Sequence, residues 1–113
     1  MPQQTPDEPF GRLSPQELQQ RVDANEMKVV DVREPWEYAK DHIPGSTLIP
    51  LGQMIARPVE ALAGTTNHVA FVCEVGQRSG VAAELAAASG LGDVYNLEGG
   101  MQAWRGAGLP TES

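Results

Sequence analysis

Cysteine is almost absent from this chain of 113 residues, since Cys73 is its single cysteine. A disulfide within the chain is therefore excluded, and a structural zinc ion would have only this thiol, two histidines and carboxylates as ligands. Long hydrophobic runs are absent as well, because no apolar run approaches the ~20 residues that a membrane-spanning helix needs. The composition therefore leaves one thiol to be explained.

Basic residues are also few. Eight lysines and arginines stand against fifteen aspartates and glutamates, which gives a formal net charge of -7. This balance argues against nucleic acid or an anionic membrane as a partner. The opening segment from Met1 to Pro9 has no apolar stretch of the kind a secretory signal needs, so we expect a soluble, cytoplasmic protein.

The length of the chain fits one domain. The prolines and polar residues of the opening segment predict a disordered tail over residues 1–10. We expect a single domain over residues 11–110 and a short C-terminal tail over residues 111–113.

Strand and helix patterns alternate within this domain. Ser14, Pro15 and Glu17 have the pattern of a capped helix N-terminus, and this helix is predicted to end near Asn25. Short apolar or β-branched runs predict four strands, at residues 28–32, 47–49, 69–73 and 93–97. Further helices are predicted at residues 34–41, 51–63 with a break at Pro58, 80–89 and 99–105, and a turn at 64–67. This alternation predicts a parallel α/β sheet with helices on both faces.

Cys73 ends the most apolar of these runs, which has the pattern of a central strand covered on both faces. The carboxyl ends of parallel strands are where α/β proteins place their chemistry. Residues 74–79 then lead into a helix, whose unpaired N–H groups and dipole favour an anion such as a thiolate. Gly76 can adopt the positive φ that lets successive N–H groups surround the sulfur.

Two charged side chains act on this thiol in opposite directions. Arg78 favours the thiolate, whereas Glu74 disfavours it and repels anionic substrates. A helix dipole contributes only ~0.3–1 kcal/mol, so the sequence does not decide this balance. The alternative is that Cys73 is an inert packing residue, as buried cysteines frequently are, but the glycine-bearing loop after it favours the reactive interpretation.

Four segments of the chain have the order and spacing of a known family. They are Leu13-Ser14-Pro15 with Glu17-Leu18; Asp31-Val32-Arg33-Glu34 with Trp36-Glu37-Tyr38 and His42-Ile43-Pro44-Gly45-Ser46; Cys73-Glu74-Val75-Gly76-Gln77-Arg78-Ser79; and Leu97-Glu98-Gly99-Gly100 with Trp104. These segments resemble the signatures of the rhodanese-like sulfurtransferase family, and the similarity covers residues 12–109. The resemblance implies a three-layer fold around a five-stranded parallel sheet. It also implies a catalytic Cys73 whose persulfide is held by the N–H groups of residues 74–79, namely Glu74, Val75, Gly76, Gln77, Arg78 and Ser79.

The activity that this resemblance implies is sulfur transfer by double displacement. Cys73 would take sulfane sulfur from a small-molecule or protein donor, such as thiosulfate or a persulfide, and pass it to cyanide or a thiol. No metal, nucleotide or flavin cofactor is needed. The chain departs from the family pattern at Asp41 and Ser46, which are compatible with surface positions. It also departs at Glu74, which makes thiosulfate doubtful as the physiological donor.

Two other functions stay open. The first is phosphatase or arsenate-reductase chemistry, for which the family pattern places the arginine six residues after the cysteine. Arg78 is five residues after Cys73, and a shorter loop fits a single sulfur atom better than a phosphate. The second is a non-catalytic, regulatory or partner-dependent sulfur-carrier module, although non-catalytic members usually lack the cysteine that this chain has.

The remaining polar candidates have structural explanations. Asp31 and Arg33 either position the loop or form a structural ion pair, and we favour the ion pair. His42 has the setting of a structural histidine rather than a general base, and His68 is placed far from the loop by this topology. Packing or tight backbone geometry is expected for Trp36, Tyr38, Trp104 and Gly99-Gly100.

Overall fold

One parallel sheet of five strands organises the chain. The computed structural model describes residues 8–65 and 68–113. The strands are β1 (Gly11–Leu13), β2 (Lys28–Asp31), β3 (Thr47–Leu48), β4 (Val69–Val72) and β5 (Val94–Leu97), in the order β1-β5-β4-β2-β3. The helices are α1 (Pro15–Asp23), α2 (Pro35–Lys40), α3 (Leu51–Ala56), α4 (Pro58–Ala61), α5 (Gln77–Ala88) and α6 (Gly100–Gly106). The predicted α/β class and parallel sheet are confirmed.

Helices cover both faces of the sheet, and strand β4 shows why. Its four residues are all fully buried, and their side chains alternate between two cores. Val69 and Phe71 pack with residues of α3 and α5, whereas Ala70 and Val72 pack with residues of α1 and α6. Full burial of an aliphatic or aromatic side chain contributes ~1.5–3 kcal/mol, so an unbroken apolar run suits this central position.

Local sequence signals fix the start of α1. The Ser14 hydroxyl accepts a hydrogen bond from the Glu17 N–H at 3.1 Å, and the Ser14 N–H donates to the Glu17 carboxylate at 2.8 Å. This reciprocal pair is the predicted capping box. The helix ends at Asp23, slightly before the predicted end near Asn25.

Helix α5 begins at Gln77, three residues before the predicted start at residue 80. Arg78 and Ser79 therefore lie in the first turn of the helix rather than in the loop, which corrects the prediction. Val81 is exposed, because small residues form the buried face instead. That face consists of Ser79, Ala82, Ala83 and Ala86. Small side chains allow the helix backbone to lie close to the sheet.

Each predicted tail includes a residue that the structure shows bound to the domain. Phe10 lies within the predicted N-terminal tail, residues 1–10. Its side chain is nevertheless buried in the core between the sheet and helices α3 and α5. It directly precedes β1, a three-residue strand that is too short to show a hydrophobic pattern. Glu112 lies within the predicted C-terminal tail, residues 111–113. It nevertheless exchanges two backbone hydrogen bonds with His42, at 2.8 and 2.9 Å. The predicted disorder of residues 1–7 and part of the predicted turn, residues 66–67, lie outside the described residues.

The topology opens a crevice between β2 and β4. These strands are neighbours, yet β2 connects onward to β3 on one side and β4 connects onward to β5 on the other. Parallel sheets bind ligands at such switch points, beyond the carboxyl ends of the strands. Asp31 is in register with Val72, so the segments that follow both strands leave the sheet side by side. Within the described ranges, we find no helix with the length and apolar character to cross a membrane.

Candidate active site

Cys73 directly follows β4 at this switch point, and its side chain is fully buried. Its Sγ accepts a hydrogen bond from the Gly76 N–H at 3.0 Å and lies 3.3 Å from the Ser79 Oγ. Gly76 has a φ of 102°, which glycine adopts without the steric cost of a Cβ atom. This conformation turns the chain back so that one backbone donor and the first turn of α5 both contact the sulfur.

Among the residues that the structure describes, only part of the predicted loop forms hydrogen bonds with the sulfur. Gly76 and Ser79 contact Sγ, whereas the side chains of Val75 and Gln77 are exposed. Arg78 and Glu74 are bound by charged partners. Backbone N–H groups of the first turn of α5 have no acceptor within the helix, which makes this turn a favourable place for an anion.

Arg78, which the sequence analysis expected to place a positive charge near the thiol, is paired with a carboxylate. Its Nη1 and Nη2 donate to the two carboxylate oxygens of Glu37 at 2.7 and 2.9 Å, which joins α5 to α2. These hydrogen bonds lower the pKa of Glu37 from 4.5 to about 2. Because the folded-state pKa lies below the unfolded value, the pair stabilises the fold above about pH 4.5. That contribution is lost as the pH falls towards about 2.

Glu74 is bound by two arginines, so its negative charge beside the thiol is partly compensated. Arg105 donates to its two carboxylate oxygens at 2.7 and 3.2 Å, and Arg33 donates to one of them at 3.4 Å. Arg105 also holds the carboxylate of Asp41 at 2.6 and 2.8 Å, and these hydrogen bonds lower the pKa of Asp41. Two of the departures from the family pattern, Asp41 and Glu74, therefore bind one arginine of α6.

Asp31 and Arg33 form a buried ion pair behind the loop. The Arg33 Nε and Nη2 donate to the Asp31 carboxylate at 3.0 and 2.9 Å, and both side chains are 1% exposed. Arg33 Nη2 also donates to the backbone carbonyl of Asp41 at 2.6 Å. Removing one partner of a buried pair costs ~3–5 kcal/mol because it leaves the other charge uncompensated. Since Arg33 also reaches Glu74, the pair both stabilises the fold and contacts the loop.

The turn after β5 supports the peptide that carries the thiol. The Met101 N–H donates to the Cys73 carbonyl at 2.8 Å, and the Gln102 N–H donates to the Glu74 carbonyl at 3.0 Å. Gly100, at a φ of 59°, lies directly against these carbonyls. A Cβ atom on Gly100 would lie 2.6 Å from the carbonyl carbon and oxygen of Glu74. Close backbone approach therefore requires glycine at this position.

The two histidines are bound by partners other than Cys73. His42 stacks on Tyr38 with ring centroids 3.7 Å apart, and its Nδ1 lies 2.8 Å from the Tyr38 carbonyl. Its Nε2 pairs with the Glu112 carboxylate. His68 precedes the amino-terminal end of β4, whereas Cys73 follows its carboxyl end, and His68 pairs with Asp93.

The two tryptophans differ in their environments. Trp104 is fully buried, and its Nε1 donates to the Pro110 carbonyl at 2.9 Å. Trp36 is largely exposed, and the Lys40 ammonium lies 5.2 Å from its ring centroid. The expected packing role therefore fits Trp104, which lies in the core. Trp36 instead lies at the surface beside Lys40.

Comparisons with known proteins agree on one family. The family model described as "Rhodanese-like domain" matches residues 14–107. A Bacillus subtilis protein named putative sulfur carrier protein YrkF is 37% identical over 95 residues, which cover 83% of this chain and 50% of that protein. The thiosulfate sulfurtransferase GlpE of Pseudomonas paraeruginosa is 35% identical over 96 residues, which cover 85% of this chain and 84% of that enzyme.

Solved structures give the same result. The crystal structure of a rhodanese-related protein from Thermoplasma volcanium superposes with a TM-score of 0.77 and 30% sequence identity, covering 89% of this chain and 96% of that one. Some curated relatives are much longer. The chain spans about half the length of the Bacillus protein and 54% of an uncharacterized protein of Synechocystis.

Proposed function

The chain belongs to the rhodanese-like domain family, and on that premise we propose that it transfers sulfane sulfur through a persulfide on Cys73. The observation that carries this proposal is the position of the sulfur. Sγ lies at the N-terminus of α5, in contact with the Gly76 N–H and the Ser79 hydroxyl. The Gly76 N–H and the helix dipole at this place favour an anionic sulfur, and above all the persulfide formed on Cys73.

The reaction consists of two successive nucleophilic displacements at sulfur. In the first, the Cys73 thiolate attacks the sulfane sulfur of the donor and forms an S–S bond. The bond to the rest of the donor breaks, and its electron pair leaves with that remainder, which is sulfite when the donor is thiosulfate. In the second, a thiol or cyanide attacks the outer sulfur, and the electron pair of the S–S bond returns to Cys73 as a thiolate. Sulfur moves between nucleophiles without an external oxidant or reductant.

Access to the sulfur requires motion of the loop. Cys73 is fully buried, whereas Val75, two residues further along, is exposed. We expect the segment of residues 74–76 to move outward when a donor enters, because the Gly76 N–H of this segment lies against Sγ. The loop would then close again, with its N–H groups, Gly76 among them, around the persulfide.

Steady-state kinetics test the covalent intermediate. With thiosulfate and cyanide as the two varied substrates, we expect parallel double-reciprocal lines, because the first product leaves before the acceptor reacts. Lines that intersect would contradict the persulfide mechanism and indicate direct transfer between two bound substrates.

Charge next to the thiol is expected to select among donors. Arg105→Gln leaves Glu74 and Asp41 less compensated, so the KM for the dianion thiosulfate should rise by about three- to tenfold, equivalent to roughly 0.7–1.4 kcal/mol. Glu74→Gln releases the positive charge of Arg105 and should lower the same KM. The hydropersulfide of a small uncharged thiol is the matched control donor, because attack on its outer sulfur leaves a persulfide on Cys73 and releases a thiolate. Its acid form RSSH carries no charge, so its KM should change less than about twofold in both variants. Equal changes with both donors, or changes of the same sign in both variants, would contradict a role of charge.

A protein partner as sulfur donor is a second candidate, favoured by the burial of Cys73. A partner could open the loop on docking, as a small molecule cannot. This version predicts that a persulfide-loaded donor protein loads Cys73 at least about tenfold faster than thiosulfate at equal concentration, which corresponds to roughly 1.4 kcal/mol in the barrier. Equal loading rates would contradict it.

A further inference from the structure

Asn96 is a buried polar residue in β5 whose amide is bonded at both ends. Its Oδ1 lies 2.5 Å from the Ser79 Oγ, and its Nδ2 donates to the Gly76 carbonyl at 3.1 Å. The residue is 6% exposed. A buried amide is tolerated only when its polar atoms are satisfied, and both of these partners belong to the sulfur-binding segment.

The two partners of Asn96 are the same two groups that contact the sulfur. The Gly76 N–H donates to the Cys73 Sγ, and the Ser79 Oγ lies within hydrogen-bond distance of it. Asn96 therefore holds both residues that contact the sulfur, although it lies in β5 and Cys73 follows β4. Asn96 holds Gly76 by its carbonyl and Ser79 by its hydroxyl.

We propose that Asn96 is a positioning residue that directs the Ser79 hydroxyl away from the sulfur and so favours the thiol over the thiolate in the empty protein. This inference rests on the proposed sulfur transfer for its functional meaning. Its physical basis is the number of protons available. The Ser79 hydroxyl has one proton, and two acceptors, the Asn96 Oδ1 and the Cys73 Sγ, compete for it.

The thiol state satisfies all three groups. The Cys73 S–H donates to the Ser79 Oγ, and the Ser79 hydroxyl donates to Asn96. In the thiolate state the sulfur would gain from a second donor beside the Gly76 N–H, but a Ser79 hydroxyl turned to the sulfur leaves the buried Asn96 Oδ1 unpaired, which is unfavourable. Asn96 therefore opposes the thiolate.

The persulfide state restores the arrangement found with the thiol. Its inner sulfur is bonded to two atoms and carries little charge, whereas the outer sulfur carries the negative charge. Ser79 can then keep its proton on Asn96 while N–H groups of the loop bind the outer sulfur. Asn96 thus disfavours the Cys73 thiolate but not the persulfide. The single cysteine is therefore less reactive while it carries no extra sulfur.

The pH dependence of Cys73 alkylation tests this assignment directly. Cys73 is the single cysteine, so the pH midpoint of its reaction with iodoacetamide reports the ionisation of this thiol, whereas opening of the loop scales the rate at every pH. Asn96→Leu has a similar volume, removes the competing acceptor and frees Ser79 for the sulfur. We expect the pH midpoint of alkylation to fall by about one unit, which is a tenfold increase in the thiolate fraction below the midpoint.

Ser79→Ala is the matched variant that separates positioning from a merely structural role. If Asn96 holds the Ser79 proton, Ser79→Ala leaves the midpoint unchanged or lower. In the Ser79→Ala background, Asn96→Leu should then shift the midpoint by less than roughly 0.3 unit, since no hydroxyl remains to be redirected.

Two results would overturn the assignment. One is a higher midpoint in Ser79→Ala, which would mean that Ser79 donates to the thiolate in the wild-type protein; this variant decides the matter even if Asn96→Leu does not fold. The other is an equal shift of Asn96→Leu in both backgrounds. The charged groups around the site are the same in all variants: Asp31, Arg33, Glu37, Glu74, Arg78 and Arg105. Alkylation needs no sulfur donor, so failure here is distinct from a failure to transfer sulfur.

Discussion

A Cys73→Ser variant is expected to lose at least about a thousandfold of the sulfurtransferase activity, as removal of a covalent nucleophile does in other enzymes. The serine hydroxyl is not ionised near neutral pH and cannot accept a sulfane sulfur. The measurement is the rate of thiocyanate formation from thiosulfate and cyanide. Loss of activity should leave the fold intact, because the Met101 N–H still donates to the backbone carbonyl of residue 73.

The control for this variant is its unfolding curve, which should match that of the wild-type protein within about 1 kcal/mol. Activity above a hundredth of the wild-type rate in a stable variant would exclude Cys73 as the nucleophile. An aryl phosphate distinguishes the alternative chemistry. Turnover of that substrate by the wild-type protein, lost in Cys73→Ser, would favour a phosphatase over a sulfurtransferase.

A Gly100→Ala variant is expected to destabilise the protein by about 3 kcal/mol or more, through overpacking and a left-handed alanine. The new Cβ atom would meet the Cys73 carbonyl oxygen and lie 2.6 Å from the Glu74 carbonyl. Backbone atoms cannot move aside as a flexible side chain can. Relief requires a shift of the peptide that carries the thiol, so we also expect most of the transfer activity to be lost. Urea unfolding and the thiocyanate assay measure the two effects.

Gly108→Ala provides the matched control for backbone strain alone. Gly108 has a φ of 72°, similar to that of Gly100, but nothing lies within 4 Å of the position a Cβ atom would occupy. This variant should cost only ~1–2 kcal/mol and leave the activity unchanged. Equal destabilisation by the two substitutions would show that close approach to the Cys73 and Glu74 carbonyls is unimportant.

The sequence was informative where a signal is local. The capping box at Ser14 and Glu17 involves residues within one helical turn, and the structure confirms it. The apolar run of residues 69–73 predicted a strand covered on both faces, because only burial on both faces removes the usual alternation. The placement of Cys73 between a strand and a helix N-terminus followed from this run and from the helix predicted at residues 80–89.

Side-chain pairing between distant segments was not predicted, because it leaves no periodic signal. Arg105 lies 31 residues from Glu74 and 64 residues from Asp41 along the chain, and nothing local marks it as their partner. The two acidic departures from the family pattern were the available hint that a cation lies nearby. Asn96 gave a weaker one, as a polar residue between Tyr95 and Leu97 in a strand.

The most direct test of the central claim is the intact mass of the protein after exposure to a sulfur donor. Wild-type protein treated with thiosulfate, with a low-molecular-weight persulfide or with a persulfide-loaded donor protein is predicted to gain the mass of one sulfur atom from at least one of them. The added mass should disappear on treatment with cyanide, with one thiocyanate formed for each sulfur lost. Cys73→Ser should gain none. A wild-type mass unchanged by all three donors, or an equal gain in Cys73→Ser, would contradict a persulfide on Cys73.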